Sequence, residues 1–191
     1  MFLRGILSAL TAVMMMCSVS TLAQAQAAKK GAAASKSAAA PSGEPTLLGQ
    51  FGSWGAYTAT PNGKKVCFAL AKPTSSKTVP AGRPRDPAYA FISTRPSEKV
   101  VNEISVMVGY PLKPGSDSSL TVGPTNYAMY SQGDGVWIKN AAEEARLVET
   151  MRMGADAVVK GLSARGTESI DTFSLRGLTQ ALDRVAQECG R

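Results

Sequence analysis

Histidine is absent from all 191 residues. That removes Ser-His-Asp and Cys-His nucleophile arrangements, together with every histidine-ligated zinc or haem site. No Gly-x-Ser-x-Gly elbow, Ser-x-x-Lys pair, phosphate-binding glycine-rich loop or EF-hand loop occurs either. Cysteine is scarce, with 3 in the chain. The formal charge is +7, but lysine and arginine never run together with interleaved aromatics, so the basic balance is no argument for nucleic acid, and none is expected as a partner. The excess falls to +4 once Arg4, Lys29, Lys30, Lys36 and Glu44 are set aside. The remaining acids are scattered, and Glu143-Glu144 reads as helix capping because neighbours on a helix point in different directions. No catalytic, cofactor-binding or metal-ligating residue is expected. Paired carboxylates brought together only by the fold stay open.

What is present begins with Arg4 ahead of an apolar stretch, Gly5 to Leu10 and Ala12 to Cys17, followed by Ala23-Gln24-Ala25. A charged start, a hydrophobic segment short of the roughly 20 residues of a membrane span, and a small-x-small site form a secretory signal peptide. Residues 1–25 are therefore expected to be cleaved, with Ala25-Gln26-Ala27 as a second register. Cys17 as a lipidation site is disfavoured by Met14-Met15-Met16 before it, where small residues are required. Cys67 and Cys189 then remain. In an oxidising compartment they are most simply one disulfide, the rival being two separately buried thiols. A bridge closing so long a loop contributes about 4–5 kcal/mol on the chain-entropy model.

Residues 26–45 hold no large apolar side chain and read as a disordered Ala/Lys/Ser/Pro tether. From Thr46 the composition is that of one folded domain, 46–191. Its first half reads as strands. Phe51 to Tyr57 and Val66 to Leu70 flank Asn62-Gly63, a hairpin signal; Ala88 to Thr94, Glu103 to Gly109, Ser119 to Val122, Tyr127 to Tyr130 and Val136 to Ile138 follow. One helix is expected from Asn140, with Glu143 as capping-box partner, to Met153. A second is expected after Ser174, with Leu178, Leu182, Val185 and Cys189 on one face. Ala155 to Leu162 and Thr167 to Phe173 form a hairpin between the two helices. The fold class is α+β and mainly β: an antiparallel sandwich-like domain with two packed helices in its C-terminal half.

Phe51-Gly52-Ser53-Trp54 before a cysteine strand, the Arg85-Asp86-Pro87 turn, the Val100 to Gly109 strand, the Gly133 to Trp137 hairpin and the helix from Ser174 to Leu182 carry a likeness. Across residues 48–190 the chain resembles the invasion-associated locus B family of bacterial exported proteins. The resemblance implies a β-rich periplasmic or envelope-associated domain with no established enzymatic activity, and no functional residue carries over beyond the two cysteines.

Lys72 to Pro87 is a long, proline-rich, basic connection, and its Lys77, Arg83 and Arg85 form a candidate interaction loop for an acidic partner surface, a lipid headgroup or a polyanionic wall component. A solvated loop in which Arg85-Asp86-Pro87 pairs locally is the plainer reading. Trp54, Tyr57, Tyr130 and Trp137 could stack on sugars from an exposed sheet face, but strand-spaced aromatics are expected in the core. The function these residues support is an exported, periplasmic or envelope-associated, non-enzymatic binding or accessory protein, with a role in cell-envelope function or host-cell interaction. Its partner would be an envelope protein or anionic envelope polymer, with at most peripheral membrane contact and with outer-membrane association or secretion as variants. The alternatives are a wall-polymer hydrolase or transferase using fold-assembled carboxylates, and a small-ligand carrier.

Overall fold

Alternation of buried and exposed residues sets the architecture. In Val66–Ala71, Cys67, Ala69 and Ala71 are buried while Val66, Phe68 and Leu70 are half-buried; in Tyr89–Arg95, Ala90, Ile92 and Thr94 repeat the pattern. Period two gives each strand an inner and an outer face, and antiparallel neighbours then align their inner residues. The computed structural model describes residues 43–190; the expected signal peptide, 1–25, and most of the expected tether, 26–42, lie outside the described residues.

The strands are β1 (Thr46–Phe51), β2 (Trp54–Ala59), β3 (Val66–Ala71), β4 (Ser75–Val79), β5 (Tyr89–Arg95), β6 (Val100–Met107), β7 (Ser118–Val122), β8 (Thr125–Gln132), β9 (Gly135–Ile138), β10 (Asp156–Leu162) and β11 (Glu168–Ser174). All pair antiparallel in one sheet, in the order β1-β2-β3-β5-β6-β9-β8-β7-β10-β11-β4. The helices are α1 (Glu144–Met153) and α2 (Leu178–Cys189). The fold is thus mainly antiparallel β with two helices in the C-terminal half. Its facing layers come from one sheet that curls, so that Trp54, Ile92, Ile104 and Val106 on one half meet Leu120, Val159 and Phe173 on the other. Trp54 fastens the two walls: fully buried, its indole N–H donates to Ser174 O at 2.9 Å.

Helix α2 lies on the inner faces of β1, β2, β3 and β5. Its Leu178, Ala181, Leu182 and Val185 are buried, and burying that stripe is worth about 1.5–3 kcal/mol for each large aliphatic side chain. Helix α1 packs on β6 through Leu147, Val148 and Met151.

Several boundaries differ from expectation. The Phe51 to Tyr57 segment is broken at Gly52 into the β1–β2 hairpin. Asn140 caps, its Oδ1 accepting from the Ala142 N–H at 3.2 Å, but it opens a 3-10 turn over Ala141–Glu143, and Glu143 makes no side-chain cap. Ser174 is the last residue of β11 and not the cap of α2, which starts instead after Gly177 at φ 92°. A Cβ on Gly177 would sit 1.9 Å from Phe51 O, so only glycine allows that approach. The presumed unstructured connection from Lys72 to Pro87 contains an edge strand, β4, because Ser75–Val79 finds the open side of β11.

Candidate interaction surface

The segment after β4 returns across the sheet, and one side chain fixes it. Arg85 reaches inward and donates to both carboxylate oxygens of Asp171, from Nη1 at 2.7 Å and from Nη2. Its Nη1 also donates to Val108 O at 2.9 Å. Ser76 Oγ donates to Asp171 Oδ1 at 2.7 Å. Asp171 is fully buried and the Arg85 side chain is 10 % exposed. A buried carboxylate is tolerated only when its lone pairs are filled, and here a fork-shaped guanidinium and a hydroxyl fill them. The hydrogen bond to Asp171 holds the Arg85 guanidinium charged, against the opposing effect of burial.

Tyr110 completes the cluster. Its ring lies under the Arg85 guanidinium at 5.9 Å, and its hydroxyl donates to Gly161 O at 3.1 Å and accepts from the Ser169 hydroxyl at 2.5 Å. Burial pushes the Tyr110 hydroxyl above the usual phenol range, against the Ser169 hydrogen bond and the Arg85 charge. The backbone adds a further tie, with the Asp86 N–H donating to Gly109 O at 3.0 Å. Gly109 stands at φ 76°, where a Cβ would fall 2.0 Å from Asp86 O.

The three cations expected to act together are therefore divided. Lys77 on β4 and Arg83 in the following loop are exposed. Arg85 is a correction to the interaction-loop expectation: it is committed to Asp171 and faces inward. Its partner, 86 residues away, was not anticipated. The one signal for it is that Asp171 shares the inward register of Ser169 and Phe173.

Cys67 and Cys189 form the expected bond, with Cα atoms 5.8 Å apart and a sequence separation of 122. Cys67 is buried on β3 and Cys189 ends α2. Beside it Lys65 Nζ donates to Glu188 O at 3.0 Å and to Glu188 Oε1 at 2.7 Å, and with Arg184 this holds the Glu188 carboxyl below its usual range.

The aromatics also divide. Trp54 is in the core as expected. Tyr57, Trp137 and Tyr130 are instead on the outer face of the sheet, Tyr130 being 43 % exposed. The reason is register: Tyr57 pairs with Phe68, and Trp137 with Tyr130, one position off the buried set. The rings stack on each other, Tyr57 on Phe68 at 5.4 Å and Tyr130 on Trp137 at 5.7 Å. Faces used in this way are not available for sugars.

The void between the two walls measures about 10 Å³, about the least that admits a single water. A groove of about 460 Å³ opens at the surface between the β7–β8 turn, the end of α1 and the start of β10. Among the described residues no three histidine, cysteine or carboxylate groups gather as metal ligands. Of the acids, Glu144 lies near Glu103, but its Oε1 accepts the Ile104 N–H at 2.8 Å and Glu103 pairs with Arg95 at 2.7 Å. No family model, no curated protein and no solved structure matches this chain.

Proposed function

We propose that the chain is an exported, non-enzymatic interaction domain of the bacterial envelope, the role implied by its resemblance to the invasion-associated locus B family. The observation that carries this reading is the Cys67–Cys189 bond. Such bonds persist in oxidising compartments and are rare where thiols are kept reduced, which agrees with the signal-peptide pattern of residues 1–25. The filled interior gives no support to a small-ligand carrier. A wall-polymer hydrolase would need two facing carboxylates, and among the described residues Glu103 and Glu144 are engaged by Arg95 and by the Ile104 N–H. Lys77 and Arg83 are left as exposed cations for an envelope protein.

Two readings test this. Intact mass of the chain recovered from fractionated cells, without reductant and after alkylation, should show a periplasmic or envelope species lacking the signal peptide and carrying no free thiol. Photo-crosslinkers at Lys77 and Arg83 should capture a defined partner that a probe at Gln187, on the exposed face of α2, does not. Recovery of a full-length chain from the cytoplasm, alkylated at Cys17, Cys67 and Cys189, would sink the export reading.

A further inference from the structure

The sheet ends in two edges that are not equivalent. At β1 the register shifts between Leu47 and Gly49, and a bulge of this kind turns an edge away from further pairing. At β4 the register is regular, Ser75 to Val79 opposite Thr172 to Glu168. No backbone hydrogen bond among the described residues reaches β4 from its outer side. Ser75, Ser76, Lys77 and Val79 are exposed, Val79 by 56 %. A row of unpaired donors and acceptors is a template for another strand.

Positive charge gathers at this same edge. Lys77 is on the strand, and Arg83 follows it, held there by its N–H donating to Thr78 Oγ1 at 3.2 Å. The fold brings one more. Arg165 sits in the β10–β11 turn, beside Glu168, which pairs with Val79. All three are exposed, and none makes an ion pair among the described residues. Of the acids in this region, Glu168 lies 3.9 Å from Lys160 and Asp171 is held by Arg85, while Asp86 is exposed three residues from Arg83.

We propose that the β4 edge accepts a strand from an acidic, extended polypeptide, which would satisfy the open backbone groups of Ser75–Val79 while its carboxylates face Lys77, Arg83 and Arg165. This rests on the interaction-domain reading and names its partner chemistry. A second copy of this edge is disfavoured because like strands would bring Lys77 against Lys77. An anionic membrane would meet the cations but leave the strand's backbone donors and acceptors to water. An acidic strand answers both features.

The test is a titration of the full, oxidised chain, followed by amide NMR, with a ten-residue peptide alternating glutamate and valine. Controls are its lysine–valine counterpart, the acidic peptide N-methylated at alternate residues, and vesicles of phosphatidylglycerol. Shifts should be confined to Ser75–Val79 and its flanks, with slowed amide exchange along β4. The double variant Lys77→Glu/Arg83→Glu should weaken binding by about tenfold or more, its unchanged spectrum elsewhere showing that it folds. Absence of binding, equal binding of the lysine peptide, full binding of the N-methylated peptide, or capture by vesicles alone would each overturn the proposal. Such a failure leaves the interaction-domain reading to the cell fractionation and crosslinking above, which do not depend on β4.

Discussion

Two of the long-range ties that hold this curled sheet act by different physics. Cys67–Cys189 joins the end of α2 to β3 across 122 residues of sequence; Arg85–Asp171 joins the returning loop to β11 across 86. The first joins elements already in apolar contact, since Ala181, Leu182 and Val185 are buried in the core beside it. Its effect is mainly on stability, through the unfolded chain it constrains. The second exists only in the folded state and is offset by the cost of removing two charges from water. Its effect is on position: with the bond from the Asp86 N–H to Gly109 O, it holds the segment from Arg83 to Asp86 against the sheet. The covalent tie therefore governs whether the domain stays folded, and the ionic tie governs where the basic segment lies.

The largest break is at the disulfide. Cys67→Ser with Cys189→Ser should lower the stability of the domain by about 4–5 kcal/mol, read as a fall in the urea midpoint with a steeper slope, since the freed unfolded chain exposes more surface. A loss under about 1 kcal/mol would mean that α2 is held by packing alone. Next is Asp171→Ala, which strands a buried guanidinium and should cost about 3–5 kcal/mol. The sharper experiment removes both charges: Arg85→Met with Asp171→Leu should recover most of that stability, because an apolar pair of similar volume avoids the desolvation cost. In that variant the Asp86 amide, which donates to Gly109 O, should exchange much faster than in the parent chain. Stability and loop order would then part company, and slow exchange in the double variant would refute a positional role for the ion pair.

Legibility in the sequence followed the range of the interactions. Elements defined by local pattern were readable: the alternation of β5 to β11, the Asn62-Gly63 turn between β2 and β3, and the amphipathic stripe of α2 that puts Cys189 on the inner side. Elements defined by a distant partner were not. β4 has no apolar alternation of its own; Ser75-Ser76-Lys77-Thr78-Val79 is a strand because β11 offers it an open edge. Arg85 looked like a loop cation because its acid lies on another strand. The aromatics were misread for a related reason: composition says that Trp137 and Tyr57 prefer partial burial, but only register decides which face they take, and a one-residue step moves them to the outside. Of the candidate site, the disulfide and the exposed Lys77 and Arg83 were visible beforehand, while Asp171, Tyr110 and the open β4 edge needed the fold.

The smallest effect sets a third polar contact against the Arg85–Asp171 tie. Glu144, like Asp171, leaves solvent to meet the sheet, but in place of a guanidinium it finds one backbone donor, the Ile104 N–H at 2.8 Å. Burial therefore raises its carboxyl above the usual range, and nearby Glu103 adds to this, while the Ile104 hydrogen bond opposes it. A raised folded pKa means that the folded state binds the proton more tightly than the unfolded chain does. Stability from this group is thus fully present below the unfolded pKa and lost as pH rises from there through the folded pKa, the reverse of a salt-bridged acid. Glu144→Gln keeps an oxygen for the Ile104 N–H and removes the charge. It should raise stability at pH 7 by no more than about 0.5 kcal/mol, since solvent screens a half-exposed group, and the gain should vanish below the ordinary glutamate pKa. Urea midpoints of parent and variant at pH 7 and pH 4 measure it. A variant less stable at pH 7 would mean that the ionised carboxylate is a net asset at Ile104, its bond to the N–H outweighing the cost of burial.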